Sequence, residues 1–382
     1  MNIFCLSIDG FHSGMIGAYG NSWIQTPSLD RLASQSVLFD RCYVETLDLS
    51  LLFDSLWRFR QQKERTVLLT DDNDIFFHAK ANNFDKRYRL KPFESQEPVS
   101  SLEETQFFTA FAAALDLFRE QKHSSKPCFL WTHLQGFRGR WDFPISYRES
   151  HRGDEDPVPY SGVEIPYFKP PYGKLAPKQP NRNVTTIDPD KIQSVMEGYS
   201  GGVAVLDHAL AGLLDSLENG ELGDETLFLL FSTRGFSLGE HGRIGADNYL
   251  YSENVQIPLC VRFPDGFGAS VRIPALFGLS DLASFLNNVN NVNNVNNISD
   301  NKSPFFDLVQ EKTEIIHERL RLTGRKDSVL VTPDWFFRKV PEGYMSDGYI
   351  ELYVKPDDRW ETNNVADRCP EIVEELTLYF EK

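Results

Sequence analysis

Five cysteines could ligate a metal or carry a redox step, and their spacing favours neither. Cys5, Cys42, Cys128, Cys260 and Cys369 are scattered, with no C-x-x-C pair, so no zinc pattern exists. Cys5, Cys128 and Cys260 sit in apolar runs that read as buried strands, where a thiol is a small core residue. An odd count without a pairing pattern fits a reducing compartment. The densest polar chemistry lies in FSTRGFSLGEHGRIG, from Phe231 to Gly245, where Thr233, Arg234, Glu240 and His241 follow an apolar run. Two hydroxyls that could serve as nucleophiles, Thr46 and Ser50, fall in the segment ETLDLSLLF.

The chain has 382 residues and a formal charge of -16. That length accommodates one large domain with a sizeable core and a smaller one. An acidic surface repels polyanions, so nucleic-acid binding and anionic membrane surfaces are set aside. A sulfate or phosphate ester would need a locally positive pocket. No apolar run approaches the length of a membrane span. Met1 is followed almost at once by the strand-like run Ile3–Ile8, with no basic segment before an apolar one, and a cytoplasmic location is expected.

The elements that must position these residues alternate between strand and helix patterns, which predicts a mostly parallel central sheet with helices on both faces. Strands are expected at Asn2–Ile8, Thr66–Thr70, Pro127–Thr132, Thr226–Phe231 and Pro258–Arg262, each a short apolar run. Thr26-Pro27 predicts a helix through Ser34 with Thr26 as its cap. Helices are also expected at Thr105–Gln121 and Asp188–Leu217, the latter with Gly198, Gly201 and Gly202 packed against the sheet. Residues 139–187 read as a long surface excursion, and 287–298 as an Asn-rich low-complexity repeat. A small C-terminal α+β unit follows, with strands at Ser328–Val331, Trp335–Val340 and Tyr349–Val354 and a helix at Pro370–Glu381. The division expected is an α/β domain over 1–310 and a subdomain over 311–382.

Four stretches resemble the sulfatase family of the alkaline phosphatase superfamily. They are LSIDGFHSGMIGAYGNSWIQTPSLDRLASQSVLFDRCY near the start, LGEHG at Leu238–Gly242, the run Tyr251–Pro258, and ELYVKPDDRWETNNVAD at Glu351–Asp367. The resemblance covers nearly the whole chain and implies the alkaline phosphatase/sulfatase-like α/β fold. It also implies a chemistry: a Cys or Ser converted to formylglycine, a divalent cation, usually calcium, held by carboxylates, and Lys, Arg and His around the sulfuryl group.

The chain departs from that pattern at almost every working position. The modification motif C/S-x-P-x-R aligns with Leu49, Leu51 and Phe53, and a leucine cannot attack sulfur. A one-residue slip would offer Ser50, which is otherwise expected to cap a helix over Leu51–Arg58. The family's paired Asp at the first strand end corresponds to Asp9-Gly10, and its Asp-His pair to Thr233-Arg234. Asp71 stands at a Lys position, Arg138 at a His position, and Ala246 at the second Lys. His133 and His241 read as packed, structural histidines. One carboxylate does not hold calcium, which takes roughly six to eight oxygens. No metal is therefore expected, with calcium only if an active site has been rearranged. Within the sulfatase fold Arg234 is expected to fill the vacated cation space and pair with Asp9. Arg138 and Arg234 could instead converge on an anion, which Asp71 and Asp72 at the rim would oppose.

Three functions follow from this reading: a catalytically inactive homologue with a binding, scaffold or regulatory role; an active sulfuric or phosphoric ester hydrolase with a rearranged site; or a partner that docks on an active homologue. The expected ligand is another protein or an anionic small molecule.

Overall fold

The computed structural model describes residues 1–58, 65–122, 126–168, 187–219, 225–246, 248–289, 304–310, 315–341 and 349–380. The Asn-rich repeat beyond Val289 and residues 169–186 of the Pro-rich excursion lie outside the described residues.

The chain first lays down β1 (Asn2–Asp9), β2 (Val37–Tyr43), β3 (Arg65–Thr70), β4 (Lys86–Arg89), β5 (Cys128–Leu134) and β6 (Thr226–Arg234). The short β7 (Ser237–Leu238), β8 (Ile244–Gly245) and β9 (Gln256–Ile257) follow, then β10 (Leu259–Arg262) and β11 (Arg272–Gly278). Among the described residues one nine-stranded sheet runs β11-β2-β10-β6-β1-β5-β3-β4, with β9 on β2. The run from β6 to β4 is parallel throughout. β10 is antiparallel to both its neighbours.

The apolar runs become central strands because both faces of the sheet are covered. Along β1, Ile3 and Cys5 face one core, and Phe4, Leu6 and Ile8 face the other. Burial pushes the Cys5 thiol well above its ordinary value, which suits a packing residue rather than a ligand. The two edge strands carry no such run. β4 reads KRYR and is largely exposed, and β11 carries Pro274, which an edge strand tolerates.

In chain order the helices are α1 (Pro27–Ser34), α2 (Leu49–Leu56), α3 (Asn73–Phe76), α4 (Gln106–Lys122), α5 (Ile145–Arg148), α6 (Pro189–Glu218), α7 (Ser252–Val255), α8 (Asp281–Val289), α9 (Pro304–Val309) and α10 (Pro370–Phe380). α1, α4 and α6 cover one face of the sheet, and α2, α8 and α9 the other. None of the described helices is long and apolar enough to cross a membrane.

Two local expectations are corrected. Thr26 does not cap α1 through its side chain. Its hydroxyl accepts from Gly17 N, and the carboxylate of Asp207 on α6 accepts from Ser28 N and Leu29 N instead. The α6 glycines pack against the 141–162 segment rather than the sheet. Added to Gly201, a Cβ would lie 2.6 Å from the Arg148 backbone. Gly201→Ala should therefore cost about 1–3 kcal/mol by overpacking. Gly212→Ala, on the same helix with nothing within 4 Å, should gain about 0.5–1 kcal/mol. Urea melts of the two variants should move in opposite directions.

The C-terminal unit is an antiparallel sheet of β12 (Leu320–Thr323), β13 (Ser328–Val331), β14 (Trp335–Val340) and β15 (Tyr349–Val354). Alternation along its strands gives it two apolar faces. Leu330, Phe337 and Leu352 pack with Leu376 of α10. Val329, Val331, Phe336 and Tyr353 join the core of the main sheet.

Candidate functional site

In an open parallel sheet the loops leaving the carboxyl ends of the strands form the crevice where chemistry is done. Here β1 ends in Asp9, β6 in Arg234, β3 leads into Asp71-Asp72, and β5 leads into the Gly136–Arg138 turn. A register shift after Ile8 sets Asp9 directly beside Arg234.

Asp9 is 2% exposed and surrounded by donors. Arg234 Nε donates to Oδ1 at 3.0 Å, and Nη2 reaches Oδ2, giving a bidentate pair. Thr233 Oγ1 donates to Oδ1 at 3.1 Å, and Arg138 Nε lies 3.9 Å from Oδ2. Burial pushes the Asp9 carboxyl up, but Arg234 and then Arg138 outweigh it and hold the group below its usual range. Arg234 Nη1 also donates to Leu47 O, tying the pair to the loop before α2. Arg138 Nη2 donates to Ala246 O. The structure thus brings Asp9, Arg138, Thr233, Arg234 and Ala246 together.

These residues do not fit a calcium ion. The one carboxylate is already saturated by two guanidiniums and a hydroxyl, and the guanidiniums repel a dication. Gly10, with φ +76°, has no room for a second carboxylate: a Cβ there would lie 2.6 Å from Arg138 Cγ. Among the described residues no group of three or more His, Cys, Asp and Glu side chains is placed to hold a metal ion.

The loop that would carry a nucleophile starts a helix instead. α2 starts at Leu49, and its cap is Asp48, which accepts from Ser50 N and Leu51 N. Ser50 is therefore not the cap; it sits exposed in the first turn. Thr46 Oγ1 accepts from Asp48 N at 3.2 Å. His78 lies nearby, yet it bonds Ser50 O through Nε2 at 3.2 Å and accepts from Lys80 N through Nδ1. With both ring nitrogens engaged by backbone, His78 does not act on the Ser50 hydroxyl.

Asp71 does not stand at the rim of the cleft. Neighbouring side chains at a strand end point to opposite sides, and Asp71 turns into a separate cavity of about 90 Å³ with Gln106, Gln135 and Asp142. Its Oδ1 accepts from Gln135 N at 2.8 Å. Burial pushes the Asp71 carboxyl up to about 7, with Asp72 and Asp142 adding to the effect. Burial also pushes Asp142 up to about 6. Asp142 carries no motif; a lone Asp between Trp141 and Phe143 is its only sequence signal. His133, fully buried, places Nδ1 3.0 Å from Ser7 Oγ. Its pKa is lowered by burial against the pull of Asp72 and Asp9.

The stretches that carry the resemblance meet in a polar seam between the two sheets. His241 Nδ1 is 3.1 Å from Glu253 Oε1, its Nε2 3.2 Å from Glu361 O, and its ring stacks on Tyr251 at 3.7 Å. Burial opposes protonation of His241, but Glu253 and Glu361 raise its pKa to about 9. Glu361 accepts from Ser252 N and lies 3.0 Å from Lys355 Nζ. Tyr251 donates to Glu351, which pairs with the buried Arg338.

Beside Arg234 opens a cleft of about 910 Å³, lined by Asp48, Ser50, Asp54, Asp72, Asp74 and Thr323–Arg325 among others.

The comparisons agree with this architecture. A family model described as Sulfatase matches residues 55–289, more than half of the chain. The phosphonate monoester hydrolase of Agrobacterium radiobacter superposes with a TM-score of 0.72 at 14% identity, covering 100% of this chain and 94% of that one. A protein solved in complex with its substrate D-glucosamine-2-N,6-O-disulfate gives 0.71 at 17% identity, over 100% and 96%. An N-acetylglucosamine-6-O-sulfatase of Bacteroides thetaiotaomicron is 38% identical over 80 residues, which span 21% of this chain and only 14% of that relative. With the family model matched over most of the main sheet and the fold shared end to end, the chain belongs to the sulfatase family.

Proposed function

We propose that this sulfatase-family chain does not hydrolyse esters and instead uses the cleft as a binding surface, in a scaffold or regulatory role. The observation that carries the reading is the bidentate Arg234–Asp9 pair, which puts a guanidinium on the carboxylate that a catalytic cation would need. The absence of a formylglycine precursor at Leu49, and the engagement of the Thr46 hydroxyl and of the His78 ring by backbone, support it. An anionic ligand would meet the carboxylates of the cleft wall, so a protein partner is the better candidate. Incubation with 4-nitrophenyl sulfate and 4-nitrophenyl phosphate, with calcium and with chelator, should give no turnover above the protein-free rate. Chelator-sensitive turnover would overturn the reading and return the chain to the ester hydrolases.

A further inference from the structure

The charge of the cleft is inverted relative to what a sulfate or phosphate ester requires. Four carboxylates line it, those of Asp48, Asp54, Asp72 and Asp74, against the two guanidiniums of Arg234 and Arg325. Arg234 is already spent on Asp9. Arg325 lies 3.3 Å from Asp48, and Lys80 lies 3.6 Å from Asp54. Asp74 is left facing the cleft with no cationic side chain within ion-pair distance among the described residues. The mostly buried Asp72 caps α3, its Oδ1 accepting from Asp74 N and Ile75 N, and offers only Oδ2, whose one cationic neighbour among the described residues is His133. That histidine is fully buried behind Asp72, turns Nε2 towards Asp72 Oδ2 across 4.0 Å, and completes no hydrogen bond there. Burial holds it below its ordinary pKa, so it does not neutralise Asp72.

The same cleft exposes apolar surface. Phe77 is 70% exposed and Leu51 58% exposed, and both line it. Large exposed side chains beside unneutralised carboxylates suit a ligand that carries cationic heads on apolar stems. A volume of about 910 Å³ admits a few side chains of an extended segment.

We propose that the cleft receives a basic, partly apolar peptide segment of a partner protein, with Lys or Arg heads on Asp72 and Asp74 and an apolar side chain against Phe77 and Leu51. The proposal rests on the non-hydrolytic binding reading and names its ligand class.

The test is fluorescence anisotropy with a short labelled Lys/Arg/Leu peptide and its Glu/Leu analogue, on the full chain and on D74K and F77A. Both substituted residues are exposed, and unchanged melting temperatures would show that the variants fold. The basic peptide should bind, the acidic one should not, and each variant should weaken binding about tenfold or more. Raising the salt to about 0.5 M should weaken it as well. No binding, or binding indifferent to both variants, would overturn the proposal. Full competition by spermidine with no effect of F77A would also overturn it, in favour of a small organic cation, as would displacement by sulfate at constant ionic strength. The hydrolysis assay on the same samples separates the two readings. Turnover would sink the non-hydrolytic function, whereas absent peptide binding without turnover would sink only the peptide.

Discussion

Arg234→Met should lower the unfolding free energy by about 3–5 kcal/mol, because it leaves the buried Asp9 carboxylate short of its principal counter-charge. Arg138, 3.9 Å away, and the Thr233 hydroxyl compensate only in part. The substitution also frees Leu47 O, so the loop before α2 should loosen. Asp9→Asn should cost a comparable amount for the mirror-image reason: two guanidiniums would then share one neutral amide. The double variant should be much less unstable than the sum of the singles, since the pair leaves together. A coupling of about 1–3 kcal/mol or more in the cycle of urea melts is expected for groups in direct contact. A double variant that shows simple additivity would mean that the pair contributes no specific interaction.

The second large effect has the opposite sign. Asp71→Asn should stabilise the protein at pH 8 and do almost nothing at pH 4. The folded-state carboxyl sits at about 7 against an ordinary 3.8. A raised folded pKa contributes stability that is fully present below the unfolded value and lost as pH rises through the folded one. Stability of the native chain should therefore fall between about pH 4 and pH 7 on account of this group, and Asn removes that slope. The difference between the two values corresponds to at most about 4 kcal/mol at 1.36 kcal/mol per tenfold step. The Asn oxygen still accepts from Gln135 N, so the loop geometry survives. Chemical melts at the two pH values check both halves of the expectation.

Much of the fold was legible because the central strands are buried on both faces and so appear as apolar runs. The polar edge strand β4 offered no such run. The cap of α1 was illegible for a different reason: it comes from Asp207, 178 residues beyond Leu29, and no local pattern reports a tertiary contact. The motifs around His241, Glu253 and Glu361 were readable as a resemblance. They turn out to knit the two sheets together rather than to face the cleft. At the site the residue types at Leu49, Thr233 and Arg234 could be read directly. The direction of Asp71 could not be taken from its position in a motif. Strand alternation separates it from Asp72, sending one into a cavity and the other to the cleft. The charge of Arg138 is plain in the sequence, but its filling of the space beside Gly10 is a matter of packing.

In the proposed reading the Arg234 guanidinium on Asp9 holds the place of a metal ion. Calorimetric titration of the chelator-stripped protein with calcium tests it most directly. No heat of binding is expected up to millimolar calcium. Micromolar binding, lost in Asp9→Asn, would contradict it and would mean that Arg234 yields Asp9 to the ion.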